Sequence, residues 1–322
     1  MSEQTIPFRN AVAKVKALLP PDSIDVAAWD VIHLRNHPTS EKELVDWLAT
    51  AHIHFVICHP HDGTHKLLWN VENLYFELER LRHHVGFPNN YNLHCPVFRQ
   101  DKYRYLELLP ENCIMPTLKV PISADMDEEV IQLMVTRFME GMPSTTRYHI
   151  KCPYTANSLG YRYWPKSREE AVKNIMRIAE RNYDENDINP ICGKLPYLLL
   201  QERVEQNTEV KAIFLNGQFS HLIAGGSSNV LCLTPHTQGD IVEFAKGIVD
   251  HLTKHYSPPF ILDGLVRVDV FKANAGHLVV NEVESMNANY RSKKDQYNVA
   301  TVDFLEGYWF RKLMELICEF LE

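Results

Sequence analysis

Only two residues, Asn216-Gly217, separate the run Glu209 to Leu215 from the run Gln218 to Ile223. Asn-Gly suits a tight turn whose two central residues take positive φ, so the flanking runs are predicted to lie antiparallel as a β-hairpin. A second pair, Leu265 to Phe271 and His277 to Glu284, is joined through Asn274-Ala275-Gly276 and reads the same way. Tyr197 to Val204 is a further strand just upstream. The second half of the chain is thus built on closely spaced strands, with helices predicted over Gly239 to His255 and Val299 to Leu321.

The first third follows another rhythm. Asp30 to Leu34 and Phe55 to Cys58 read as short strands alternating with amphipathic stretches. Thr39-Ser40 followed by Glu43 marks a helix start, and Leu44, Val45, Trp47 and Leu48 give that helix an apolar face. Asn73 to Val85, with Leu74, Leu78 and Leu81 on one side, and Lys102 to Leu109 are further helices. This alternation predicts a small parallel-sheet α/β domain ending where Met115-Pro116-Thr117 punctuates the chain. Between the two regions come a helix (Glu128 to Glu140), a strand ending at Lys151, a polar loop and a helix (Arg168 to Arg181). The expected division is 1–116, 117–196 and 197–322, an α/β (α+β) chain with neither internal repeat nor low-complexity tract.

With 322 residues, 45% of them hydrophobic, such a chain can bury a sizeable core without disulfides or metals. Its net charge of −8 and lack of a basic run argue against a nucleic-acid partner. No window approaches the ~20 apolar residues of a membrane span, and Met1 to Lys16 has no apolar stretch of signal-peptide length. Seven cysteines (58, 95, 113, 152, 192, 232 and 318) without a C-x-x-C pair fit reduced thiols. A soluble cytoplasmic protein without membrane contact is the expectation.

Chemistry concentrates in the second hairpin. Arg267 and Asp269 share one strand face, as do Glu282 and Glu284, and pairing the strands could bring Asp269, Glu282 and Glu284 together. Three carboxylates in apolar strands would repel one another, and a hard cation such as Mg²⁺ removes that repulsion. An exposed face of an edge hairpin is the plainer reading. Upstream, an apolar strand emerges into Gln201 and Glu202, where backbone groups could meet a purine, and a nearby carboxylate could take ribose hydroxyls. Lys102 and Lys151 add point charges suited to phosphate, although single lysines are usually solvated surface.

In this order the features resemble the ATP-grasp superfamily. The resemblance covers roughly residues 95 to 290, preceded by what would be a pre-ATP-grasp domain with a parallel sheet. It rests on Asp101-Lys102, Met115-Pro116-Thr117, Lys151 at a strand end, the hinge Gln201-Glu202-Arg203-Val204, Glu209 with Lys211, an R-x-D strand at Arg267 and Asp269, and a strand with Glu282 and Glu284. The resemblance implies phosphate contacts from Lys102, Lys151 and Lys211, and adenine at Gln201, Glu202 and Val204. It also implies ribose at Glu209 and metal ligation by Asp269, Glu282 and Glu284, with Arg267 catalytic. The cofactors would be ATP and Mg²⁺, with Mn²⁺ as the alternative ion. A small-molecule or peptide carboxylate, activated as an acyl phosphate, would be captured by an amine or other nucleophile.

Two departures stand out. The segment Cys152 to Gly160 holds one glycine where family members commonly carry Gly and Ser, and Glu284 stands where the family has a metal-binding Asn. That replacement keeps an oxygen ligand and adds charge. The alternatives are a small-molecule kinase of the same fold and a nucleotide-binding regulatory protein without turnover. Arg267 could also simply pair with a neighbouring carboxylate. The histidines His52, His54, His59, His61 and His65 match no common zinc pattern, although the loop that holds the last three follows a strand and could touch substrate.

Overall fold

The computed structural model describes residues 6–21, 53–55, 92–94, 102–151, 153, 164–182, 196–204, 209–224, 235–255, 264–273, 276–284 and 299–321. Helix α1 (Ile6–Leu18) precedes strands β1 (Ile53–Phe55) and β2 (Asn92–His94), which pair in parallel. Helix α2 (Lys102–Leu106) and a 3₁₀ turn (Glu111–Cys113) lead to β3 (Thr117–Pro121), α3 (Glu128–Glu140), β4 (Tyr148–Lys151), α4 (Arg168–Asn182) and β5 (Tyr197–Glu202). Then follow β6 (Val210–Leu215), β7 (Gln218–Ala224), α5 (Pro235–His255), β8 (Leu265–Lys272), β9 (Leu278–Glu284) and α6 (Val299–Leu321). The expected strand Asp30 to Leu34, the helices at Thr39-Ser40 and Asn73 to Val85, the segment 154–160, and His52, His59, His61 and His65 lie outside the described residues. His54 falls within β1.

Two antiparallel sheets organise the rest. One has the order β3-β5-β4 and the other β7-β6-β8-β9. The expected hairpin is present, with Asn216 at φ 51° and Gly217 at φ 72°, as a type I′ turn requires. β5, expected at the head of the last unit, is the central strand of the three-stranded sheet. Thr117, expected only to punctuate the chain, begins a strand that pairs with β5.

Alternation divides each sheet into a packed face and a polar face. In the smaller sheet Val120, Tyr148, Ile150, Leu198 and Leu200 pack against Ile131 and Val135 of α3 and Val172, Ile175 and Ile178 of α4. Local chemistry starts both helices. The Asp127 carboxylate caps α3 by accepting from Glu129 N–H, and the Ser167 hydroxyl accepts from Glu170 N–H at the start of α4. Acidic residues in each first turn suit the positive end of the helix dipole.

In the larger sheet Val210, Ala212, Phe214, Val266, Val268, Val270, Val280 and Val283 pack on Ile241, Ala245, Ile248, Val249 and Leu252 of α5. Tyr105, Leu106 and Leu109 join the same core, and Ile114 bridges in parallel to Val280, so the α2 segment runs along the β9 edge. Toward one end of the sheet's other face, Ile213, Ile223 and Leu265 are covered by Ala11 and Val15 of α1 and Leu305, Tyr308 and Trp309 of α6. At the other end of that face Phe271 and Val279 pack with Met115 and Val204, and the stretch between the two apolar clusters is polar. No described helix is long and apolar enough to cross a membrane.

Candidate active site

On β8, the side chains opposite the α5-packed valines belong to Arg267 and Asp269, both buried. Register sets Glu284 across from Arg267 and Glu282 across from Asp269. The Arg267 guanidinium grips both Asp269 oxygens, at 2.7 and 2.8 Å, and reaches Glu284 at 2.5 Å. From β6, Lys211 stands opposite Asp269 with its ammonium 3.5 Å from that carboxylate and 3.7 Å from Glu209. Lys102, at the start of α2, meets Glu282 at 2.9 Å. Its backbone N–H bonds to the Pro153 carbonyl, which ties the beginning of α2 to the chain just beyond β4.

A β-bulge completes the array. Asp269 pairs with Glu282 and Val270 with Val280, so Asn281 is the extra residue in β9. A bulge puts two successive side chains on the same side of a strand. Asn281 and Glu282 therefore both leave the packed face, while Val280 and Val283 stay in the core. The Asn281 amide accepts from Lys151 at 2.8 Å and donates to Glu209 at 2.7 Å. Lys151 comes from β4, 130 positions away, so this amide bridges the two sheets.

The smaller sheet offers a different surface. His149, Gln201 and Thr117 are register partners across its three strands. The Thr117 hydroxyl donates to the Met115 carbonyl at 2.7 Å and accepts from the Gln201 amide at 2.8 Å. This leaves the Gln201 oxygen toward His149 Nε2 at 3.2 Å, so that nitrogen carries the hydrogen. In the next row Lys119 lies 4.5 and 4.6 Å from the Tyr103 and Tyr197 ring centres, stapling α2 to the sheet.

Burial shifts several of these groups. It lowers Lys151 to about 8, helped by nearby Lys102. It also lowers His149, to about 3, with Lys151 acting in the same direction. Burial raises Glu209, with Asp269 adding to the effect, and raises Glu284, with Glu282 adding to it. At Glu282 burial is outweighed by Lys102 and Arg267, which hold it below its usual value. At Arg267 burial is outweighed by Asp269 and Glu284, which secure its charge.

Of the residues singled out in sequence, Lys102, Lys151, Glu209, Lys211, Arg267, Asp269, Glu282 and Glu284 are linked by these contacts. Gln201 shares the face of Lys151, whereas alternation puts Glu202 on the helix side, across from Tyr148. Val204 packs in a small cluster with Met115, Val279 and Ala273. Among the described residues no three His, Cys, Asp or Glu side chains are gathered as a ligand set, since the carboxylates turn to lysine and arginine. Asn281 and the His149–Thr117 row were not singled out. Asn281 had a sequence signal, being a polar residue where strict alternation expects a partner for core residue Val283. His149 had one too, two positions before Lys151.

D-cycloserine synthetase DcsG has a similar structure at 18% sequence identity, over 95% of this chain and 93% of its own, with a TM-score of 0.57. A D-alanine–D-alanine ligase from Bacillus anthracis is 12% identical over 99% and 93%, with a TM-score of 0.48. The corresponding ligase from Coxiella burnetii is 14% identical over 84% and 74%, with a TM-score of 0.45. No family model matches the chain, and no curated protein matches it in sequence. The likeness to the synthetase is one of fold, and that fold is the ATP-grasp fold.

Proposed function

We propose that this chain is an ATP-dependent ligase that activates a carboxylate as an acyl phosphate for attack by an amine or other nucleophile. The observation that carries the reading is the charge balance between the sheets. The face of the larger sheet, with Glu209 at its rim, holds two cations (Lys211 and Arg267) against four carboxylates (Glu209, Asp269, Glu282 and Glu284). Two further cations, Lys102 and Lys151, come from α2 and β4. A nucleoside triphosphate would bring about four negative charges to an array already balanced, and divalent cations would offset them. Asp269 and Glu282 carry oxygens of the kind a hard cation takes, and would hold Mg²⁺ or Mn²⁺ by exchanging their present arginine and lysine contacts. Bound there, such an ion would neutralise charge on the phosphates.

In this reading the nucleotide lies between the two sheets, within residues 117–322, and residues 1–116 form part of the acceptor site. Lys102, Lys151 and Lys211 hold the phosphates, Glu209 takes the ribose, and Gln201 with the backbone of Glu202 and Val204 lines the base. A substrate carboxylate oxygen attacks the γ-phosphorus as the bond to the β–γ bridging oxygen breaks, and ADP leaves. The nucleophile then adds to the acyl carbon, losing its proton, and phosphate departs. Arg267 fixes both Asp269 oxygens and contributes positive charge close to the transferring group. An amino-acid or peptide carboxylate is the expected substrate class.

ADP release, measured over a panel of amino acids, peptides and other carboxylates with hydroxylamine present, tests the reading. A hydroxamate is expected, and Glu282→Gln should reduce it by about 10²–10³-fold. ADP release without hydroxamate, with a stable phosphate ester instead, would mean a kinase.

A further inference from the structure

We infer that Asn281 is a positioning residue, a neutral spacer that keeps Lys151 from pairing with Glu209 and so leaves its charge available to a phosphate. The inference rests on the ATP-dependent reading above and concerns how this chain binds the nucleotide.

The geometry is specific. Among the described residues Lys102, Lys211 and Arg267 each have a carboxylate partner, whereas the contact shown for Lys151 is the amide oxygen of Asn281. The other end of the same amide donates to Glu209. Oxygen toward the cation and NH₂ toward the anion is the favourable orientation for an amide dipole between opposite charges. Without it, ammonium and carboxylate could close into an ion pair. A lysine in such a pair would have to break it before meeting phosphate, whereas one held by a neutral acceptor exchanges only a hydrogen bond. The bulge delivers this side chain, because a regular β9 would turn position 281 toward α5.

Binding of the non-hydrolysable analogue AMP-PNP with Mg²⁺, followed by calorimetry, tests the inference without knowledge of the acceptor. Asn281→Asp puts a carboxylate against Lys151 and is expected to weaken binding about tenfold or more, the scale of one charge-assisted hydrogen bond. Asn281→Ser, too short to reach both partners, should weaken it about fivefold or more and guards against misfolding of the first variant. Because the effect acts through Lys151, each penalty should shrink to about twofold or less when measured in Lys151→Ala. General damage to the site would add to the Lys151→Ala loss instead. Binding within about twofold of wild type in both variants, or penalties undiminished in Lys151→Ala, overturns the inference. Failure of the wild-type protein to bind the analogue overturns the ATP-dependent reading itself.

Discussion

The polar faces of the two sheets are satisfied in different ways. Across the smaller one, His149, Gln201, Thr117 and the Met115 carbonyl form a line of donors and acceptors carrying no formal charge. That line is complete within one sheet and its flanking residue. The polar face of the larger sheet, with Glu209 at its rim, sets four carboxylates against Lys211 and Arg267 and is matched only through Lys102 and Lys151, which belong to other elements. One face is a local solution to burying polar groups, and the other exists only when the two halves are together. Sensitivity to substitution, pH and nucleotide should therefore differ sharply between them.

Arg267→Ala should separate the two faces most strongly. It leaves Asp269 and Glu284 buried without the cation between them, and breaking such an arrangement typically costs about 3–5 kcal/mol. Urea unfolding at pH 7 would show the loss, and a change under about 1 kcal/mol would mean that the array does not stabilise its sheet.

His149→Gln tests the neutral line through its response to acid. His149 is held at about 3 by burial and by Lys151, whereas in the unfolded chain it takes up a proton near 6.5. Below 6.5 the unfolded state therefore binds the extra proton, and stability is lost as pH falls toward 3. Between pH 6.5 and 5 the wild type should lose about 2 kcal/mol more than the variant. Equal losses, measured by urea unfolding at both pH values, would place a charged histidine in the folded row.

The smallest effect belongs to Lys151, which stands on β4 beside the neutral line and serves the charged array. Its ammonium must keep its proton to meet phosphate, and burial brings the free protein's value to about 8. Affinity for Mg²⁺-AMP-PNP should be full below that value and fall by up to about tenfold per pH unit above it. Lys151→Ala should be weak throughout and lack this alkaline limb; an unchanged limb would assign it to another group.

The sequence made some of this plain and hid the rest for identifiable reasons. The Asn216-Gly217 hairpin was legible because its turn chemistry is local, and the positive φ of both residues agrees. Arg267, Asp269, Glu282 and Glu284 were legible as neighbours because strand alternation is a short-range rule. The same rule hid Asn281, since one inserted residue in β9 shifts which side chains share a face. β3 was overlooked because Thr117–Pro121 looks like a turn at its start and earns its strand only by pairing with β5. That Arg267 would be clamped by two carboxylates was read as an alternative, because no periodicity says which of several opposite charges a guanidinium will choose.

The packing of α1 on α6 bears on how the chain acquires its structure in time. Asn10 and Lys14 meet Glu306, and the Asn10 contact spans 296 positions of sequence. At roughly 5–20 residues per second on a ribosome, α1 emerges some tens of seconds before its partner helix. Through that interval Phe8, Ala11, Val12 and Val15 lack the helix that later covers them. The larger sheet can acquire its α5 side first, but this other side must wait until residues 299–321 have been made. Nascent chains arrested before about residue 299 should accordingly be the ones that recruit hydrophobic-segment chaperones, with release following once α6 has been made.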